Sequence, residues 1–219
     1  MRSKPFHLLI FDWDGTLMDS AARIVECLKS AARDCGESLR PDQQLRNVIG
    51  LGLEEAIRAL YPTIDAKAVT TMAQAYRDHY LYKSEIQTPL FPGVAALLEE
   101  LRQQDYWLAV ATGKSRQGLD KAMEEHGVSH HFFVTRCASE TLSKPHPQML
   151  HEILDELGID SRDALMIGDT EYDMQLANNA GTSALAVSYG VHAPDRLLKH
   201  EPLGCLDDIR DLPAWLKLT

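Results

Sequence analysis

Apolar residues fall in two rhythms along this chain, and the change between them divides it. His7-Leu8-Leu9-Ile10-Phe11 is a short apolar run that stops at Asp12, with Asp14-Gly15-Thr16 close behind. Such a run, bounded by a polar, glycine-containing turn, predicts a buried strand. Residues 19–84 then follow helical spacing. Asp19 or Ser20 can cap a helix to about Cys35, which Gly36 stops, with Ala22, Val25, Leu28, Lys29 and Ala32 as a mostly apolar stripe. Pro41 opens a second helix to about Ile49, and Gly50-Leu51-Gly52 breaks it. A third runs Leu53 to Leu60 and a fourth from about Asp65 to Lys83. The links are short, which predicts a compact helical bundle.

Pro89-Leu90-Phe91-Pro92-Gly93 is a breaker cluster and a candidate hinge. Beyond it helices and strands alternate. Strands are predicted at Trp107–Ala111, Phe132–Thr135, Ala164–Ile167 and Ser183–Val187, with helices from about Val94 to Gln103, Arg116 to Glu125, Gln148 to Leu157, Tyr172 to Asn179 and Asp207 to Leu216. That alternation predicts an α/β fold with a parallel, doubly wound, Rossmann-like sheet. The opening strand has the character of this sheet. The helices therefore read as an insertion: a core of residues 1–16 and 90–219, with an all-helical cap domain at 17–89.

Composition narrows the partners. Of 219 residues, 45% are hydrophobic and 25% charged, enough apolar material for a core. The net charge of −10 argues against nucleic acid and anionic membrane surfaces, and requires that any anionic substrate meet locally positive groups. Nothing is long enough to span a membrane. Cys27, Cys35, Cys137 and Cys205 are scattered and show no metal spacing, which suits a reducing, cytoplasmic setting. A monomer is the expected state, a dimer the alternative.

The chemistry sits where strands end, the place ligands bind in open α/β sheets. Asp12 and Asp14 project to the same side of an extended chain, so they can share one metal ion or one substrate group. Thr112-Gly113-Lys114 offers a hydroxyl and bare N–H groups to a phosphate oxygen. Lys144, in the stiff Lys144-Pro145-His146-Pro147 loop, offers a point charge. Asp169 and Asp173 can complete an oxygen-only magnesium site. Each motif alone also has a plain structural reading as an acidic turn, a helix cap or a surface lysine. Their succession on one sheet favours a single site.

Asp12-Trp13-Asp14-Gly15-Thr16-Leu17, Thr112-Gly113, Lys144-Pro145 and Gly168-Asp169 with Asp173 resemble, in order, the four motifs of the haloacid dehalogenase superfamily. More narrowly the chain resembles phosphoglycolate-phosphatase-like members with a helical cap. The resemblance implies a Mg²⁺-dependent phosphatase of small phosphomonoesters working through an aspartyl-phosphate. It makes Asp12 the nucleophile and Asp14 the general acid/base, with Thr112 and Gly113 binding the phosphoryl group. Lys144 would stabilise the charge on Asp12 and the phosphate. Asp12, the Asp14 carbonyl and Asp169 would hold Mg²⁺, with Asp173 nearby or through water. Gly113 departs from the pattern, since many relatives carry Asn there. Arg46, with Asn47 and Gly50, is the candidate substrate contact from the cap. A small phosphorylated metabolite is the expected partner. A sugar-phosphate mutase, an inorganic pyrophosphatase and a non-catalytic phosphate sensor are the competing functions.

Overall fold

The computed structural model describes residues 4–218. The chain opens with β1 (Leu8–Phe11). Four helices follow: α1 (Ala21–Asp34), α2 (Asp42–Asn47), α3 (Leu53–Leu60) and α4 (Ala66–Asp78), the last continued by a π-helical turn, His79–Lys83. Then come α5 (Val94–Gln103), β2 (Trp107–Thr112), α6 (Arg116–His126), β3 (Val134–Cys137), α7 (Gln148–Leu157), β4 (Ala164–Gly168) and α8 (Glu171–Ala180). β5 (Ser183–Val187), α9 (Pro194–Leu197), β6 (Cys205–Leu206) and α10 (Leu212–Leu218) complete it. The strands form one sheet in the order β3-β2-β1-β4-β5-β6, and every pairing is parallel. No helix among the described residues is long and apolar enough to cross a membrane.

β1 lies between β2 and β4 with both faces covered, which is why its four residues are all apolar and all buried. The two-residue period still sorts them. Leu9 and Phe11 join Leu108, Val110, Leu165 and Ile167 in the cluster beneath α5, α6 and α10. Leu8 and Ile10 join Ala109, Ala111 and Met166 beneath α7 and α8. The register aligns Phe11 with Val110 of β2 and Ile167 of β4. Asp12, Thr112 and Asp169 therefore arrive together at the carboxyl edge of the sheet.

Helices α1–α4 and the π turn bury a third cluster of their own, including Ile24, Leu28, Leu45, Ile57 and Met72. The strands of chain entering and leaving this segment run side by side. Met18 bridges both Asp14 and Leu90, Asp19 N donates to Pro89 O at 2.9 Å, and Phe91 N to Leu17 O at 2.9 Å.

The structure departs from the predicted elements in a few places. The stripe of α1 is wider than predicted: Val25, Leu28 and Ala32 face the cluster as expected, Ala21, Ile24 and Ala31 join them, and Ala22 is exposed. Asp65 caps α4 through Ala68 N at 2.8 Å, but regular α winding stops at Asp78. β3 begins two residues later than predicted. Phe133 precedes the strand and stacks on Trp107 with ring centroids 5.3 Å apart, so its aromatic character serves ring packing at the sheet's margin. β6 is two residues long and α9 one turn, too short for periodicity to register.

Candidate active site

Asp12 follows β1 and is buried. Its Oδ1 accepts a hydrogen bond from Lys144 Nζ at 2.7 Å, and the same Nζ donates to Asp173 Oδ1 at 2.6 Å. Lys144 comes from the loop between β3 and α7, and its side chain has no solvent exposure. Asp173 stands in the first turn of α8. Its Oδ2 accepts from Thr170 N at 3.0 Å and from Thr170 Oγ1 at 2.7 Å, so one carboxylate caps the helix and clamps the lysine. Asp169, at the end of β4, accepts from Thr16 Oγ1 on Oδ1 and from Val191 N on Oδ2, each at 2.8 Å. Gly15 turns against this carboxylate at φ +90°, where a Cβ would overlap it.

The electrostatics are unbalanced. Three buried carboxylates converge on one ammonium. Burial pushes the Asp12 carboxyl well above the usual range; Lys144 opposes this, and the charges of Asp173 and Asp169 add to it. Burial, then the charge of Asp173, pushes Asp169 up to about 7 against the hydrogen bonds from Val191 and Thr16. Burial also works against the Lys144 ammonium, but Asp12 and Asp173 outweigh it and hold its pKa above the ordinary lysine value. Lys144 is therefore charged, and the cluster holds more carboxyl groups than one ammonium can balance once they ionise.

That excess fits a divalent cation. Oxygens of Asp12, Asp169 and Asp173 lie within 4.8 Å of one another. Asp12 Oδ2 is buried and has no hydrogen-bond partner, a costly state unless an ion or ligand takes the lone pairs. An all-oxygen donor set suits a hard ion such as Mg²⁺.

Asp14 faces elsewhere. Lys114 Nζ donates to its two oxygens at 2.8 and 3.1 Å, and Ser20 Oγ donates to Oδ1 at 2.6 Å. Ser20 thus spends its hydroxyl on Asp14 and makes no side-chain cap for α1. Lys114 Nζ also donates to the Tyr80 hydroxyl at 2.8 Å, joining the sheet edge to the π turn. Burial works against this ammonium too, and Asp14 and Tyr80 raise its pKa above the ordinary value. A cavity of about 400 Å³ opens from Asp12 and Asp14 between the sheet edge and the helices, bordered on the sheet side by Thr112, Gly113 and Lys114.

Of the residues singled out in the sequence, Asp12, Lys144, Asp169 and Asp173 meet in one cluster. Asp14, Thr112 and Gly113 border the adjoining cavity. The Asp14 carboxylate lies on Lys114, outside the acidic cluster, so any part it has in holding metal falls to its main-chain carbonyl. Both Asp173 oxygens are held by Lys144 and Thr170, which makes it the lysine's anchor. Arg46 is exposed on α2 and does not border the cavity, whereas Gly50 does. Asn47 instead accepts on its main-chain oxygen from the Tyr172 hydroxyl at 2.8 Å. At Gly113 a Cβ would meet the carbonyl oxygens of Leu51 at 2.5 Å and Gly50 at 2.7 Å. The departure from Asn there follows from this close approach of backbone. Lys114, Ser20, Thr16 and Tyr80 join the site without being among the residues predicted for it. Thr16 lies within the first motif and Lys114 directly follows the second; Ser20 and Tyr80 carry no sequence signal for this role.

A parallel sheet with buried acids at the end of its first strand, a buried lysine and a second acid pair defines a class of hydrolase. Residues 9–187 match the family described as haloacid dehalogenase-like hydrolase, and the chain belongs to it. Within that family it is phosphoglycolate-phosphatase-like. It is 34% identical over 220 residues to "Probable phosphatase IndB" of Dickeya dadantii, covering 97% of this chain and 96% of that protein. It is 30% identical over 221 residues to the phosphoglycolate phosphatase of Aliivibrio fischeri, covering 97% of each. Among solved structures, a haloacid dehalogenase-like family hydrolase of Streptococcus pneumoniae superposes with a TM-score of 0.84 at 25% identity, covering 97% of this chain and 99% of that one.

Proposed function

We propose that this protein is a Mg²⁺-dependent phosphatase that hydrolyses small phosphomonoesters, the class to which phosphoglycolate belongs, through a phosphoryl group carried on Asp12. One observation carries the reading: Asp12 holds one oxygen on Lys144 while the other is buried without a donor at the mouth of a cavity. Two residues further on, Asp14 is held by a cation of its own. Residues 17–89 serve as the cap over that cavity, and the four free cysteines accord with a cytoplasmic setting.

In the first step Asp12 attacks phosphorus and the bond to the leaving alcohol breaks. Asp14 delivers a proton to the leaving oxygen. In the second, Asp14 takes a proton from water as that water attacks phosphorus, and phosphate departs from Asp12. Splitting the displacement in this way replaces one hard step with two easier ones. Lys144 offsets the charge on Asp12 and on the phosphoryl oxygens, and its clamp on Asp173 fixes it there before substrate arrives. Thr112 and the main chain of Gly113 orient the phosphoryl group. Asp12, Asp169 and the Asp14 carbonyl would hold Mg²⁺, which supplies positive charge at the transferring phosphoryl group when bound.

The test is to trap the intermediate with an activated aryl phosphate and rapid acid quench, followed by intact mass. Asp14→Asn should slow turnover by about 10²–10⁴-fold and accumulate phosphorylated enzyme. Asp12→Asn should be inactive and carry no phosphate. A covalent adduct on Asp12→Asn, or full turnover by either variant, refutes the mechanism.

A further inference from the structure

The alcohol half of the substrate must occupy the part of the cavity that extends away from Asp12 and Asp14 toward the helices. The whole cavity is about 400 Å³, within the roughly 300–1,000 Å³ of small-molecule sites. Its far wall is carbon: Ile24 and Leu28 of α1, Val48 and Ile49 after α2, Leu53 of α3, and Leu81 of the π turn. All but Leu53 are buried in the helical cluster, so packing fixes the wall. Tyr76 and Tyr80 add an aromatic surface, their rings stacked with centroids 5.7 Å apart and planes 25° from parallel.

Cations are scarce there. Lys114 and Arg77 are the two basic residues bordering the cavity. Lys114 is already engaged by both oxygens of Asp14 and by the Tyr80 hydroxyl. Arg77 shares the wall with Glu54 and Glu55. Those two acids also occupy the first turn of α3 and offset the positive end of that helix. Arg46 lies outside. A carboxylate on the leaving group would be desolvated against aliphatic carbon beside Glu54 and Glu55, with Arg77 the one bordering cation not already engaged, which is costly. An apolar group would gain from the same burial.

We propose that this cavity is a binding site for the alcohol half of a phosphomonoester whose leaving group is uncharged and largely apolar, aromatic or branched aliphatic, and larger than glycolate. The inference rests on the phosphatase reading above. The test compares kcat/KM of the Mg²⁺-loaded protein for benzyl phosphate, 3-methylbutyl phosphate and phosphoglycolate, none of which has an activated leaving group. Benzyl and 3-methylbutyl phosphate should exceed phosphoglycolate by about tenfold or more, the discrimination that even one buried methylene gives. Leu53→Arg should lower turnover of benzyl phosphate and raise that of phosphoglycolate. Arg77→Ala should leave the ratio between the two unchanged. Phosphoglycolate turned over as well as benzyl phosphate, or an unchanged ratio in Leu53→Arg, overturns the apolar site and leaves the phosphatase reading standing. Selective loss of phosphoglycolate turnover in Arg77→Ala identifies a carboxylate receptor and also overturns it. No phosphate release from any of the three, with no phosphate trapped on Asp12, overturns both.

Discussion

Replacing Lys144 by methionine removes one charge from the most enclosed point of the site while keeping most of the side chain's length. Its Nζ lies 2.7 Å from Asp12 and 2.6 Å from Asp173, and none of the three side chains is more than 1% exposed. Wild-type protein holds three carboxylates against one ammonium; Lys144→Met holds three against none. Breaking a buried ion pair by removing one partner costs about 3–5 kcal/mol, and the methionine stem keeps the packing loss small. At about 2–4 °C per kcal/mol for a chain of this size, the melting temperature in chelator should fall by about 6–20 °C at pH 8. Protonation relieves repulsion between carboxylates, so the deficit should shrink at pH 5.5. Saturating Mg²⁺ should raise the variant's melting temperature more than the wild type's, because the ion then supplies the only positive charge in the cluster. Differential scanning fluorimetry with and without Mg²⁺ at the two pH values measures all of this without relying on activity. A variant in chelator at pH 8 that melts within about 2 °C of wild type, less than 1 kcal/mol on that scale, would refute the account of the cluster as held together by Lys144.

Two other outcomes follow from the geometry. Gly113→Ala places a Cβ 2.5 Å from the Leu51 carbonyl, so the loop after α2 must retreat; kcat/KM should fall by about 10²-fold, the effect of a misplacement near 1 Å, and hydrogen exchange of residues 48–53 should quicken, whereas unchanged kinetics would show the approach to be irrelevant. Asp169, pushed up to about 7 from an ordinary value of about 3.9, stabilises the metal-free fold below pH about 4 and loses that contribution as pH rises through about 7; since Mg²⁺ needs the carboxylate, the melting-temperature gain on adding Mg²⁺ should be larger at pH 8 than at pH 5.5, and a gain independent of pH would contradict the shift.

The sheet was legible because its central strands bury both faces and so appear as unbroken apolar runs. The acids that end those runs were legible for the same reason: Asp12 and Asp169 each stop a strand. Lys144 could be read as a rigid charge, but what holds it could not. Asp173 reaches it because α8 begins where it does, and that helix start is set by the capping contact with Thr170. The partners of Lys114 stayed hidden although it directly follows Thr112-Gly113. Its second partner, Tyr80, comes from the π turn, and only the packing of α4 against α1 sets them side by side. Arg46 illustrates the converse. Val48, Ile49 and Gly50 just beyond it border the cavity, but the phase of a six-residue helix turns it outward, and six residues are too few to fix phase from periodicity. Between β5 and α10 the elements are one turn and two residues long, shaped by contacts with β5 and α8.

The strand that ends at Asp12 is delivered early in synthesis and housed late. β1 hydrogen-bonds to β2 and β4, and roughly 100 residues of helical insertion and linker separate it from the first of these. At about 5–20 residues per second, some 5–20 s pass between the making of the strand and the making of its neighbour. During that interval helices α1–α4, whose contacts are local, can bury their own cluster. Leu8–Phe11 cannot, because every partner they need lies downstream. An apolar strand waiting without its neighbours is a site for aggregation and for chaperone capture. The helical insertion therefore also sets how long the most vulnerable segment of the nascent chain stands uncovered. Shortening the insertion would hasten sheet closure even if it left the catalytic edge untouched.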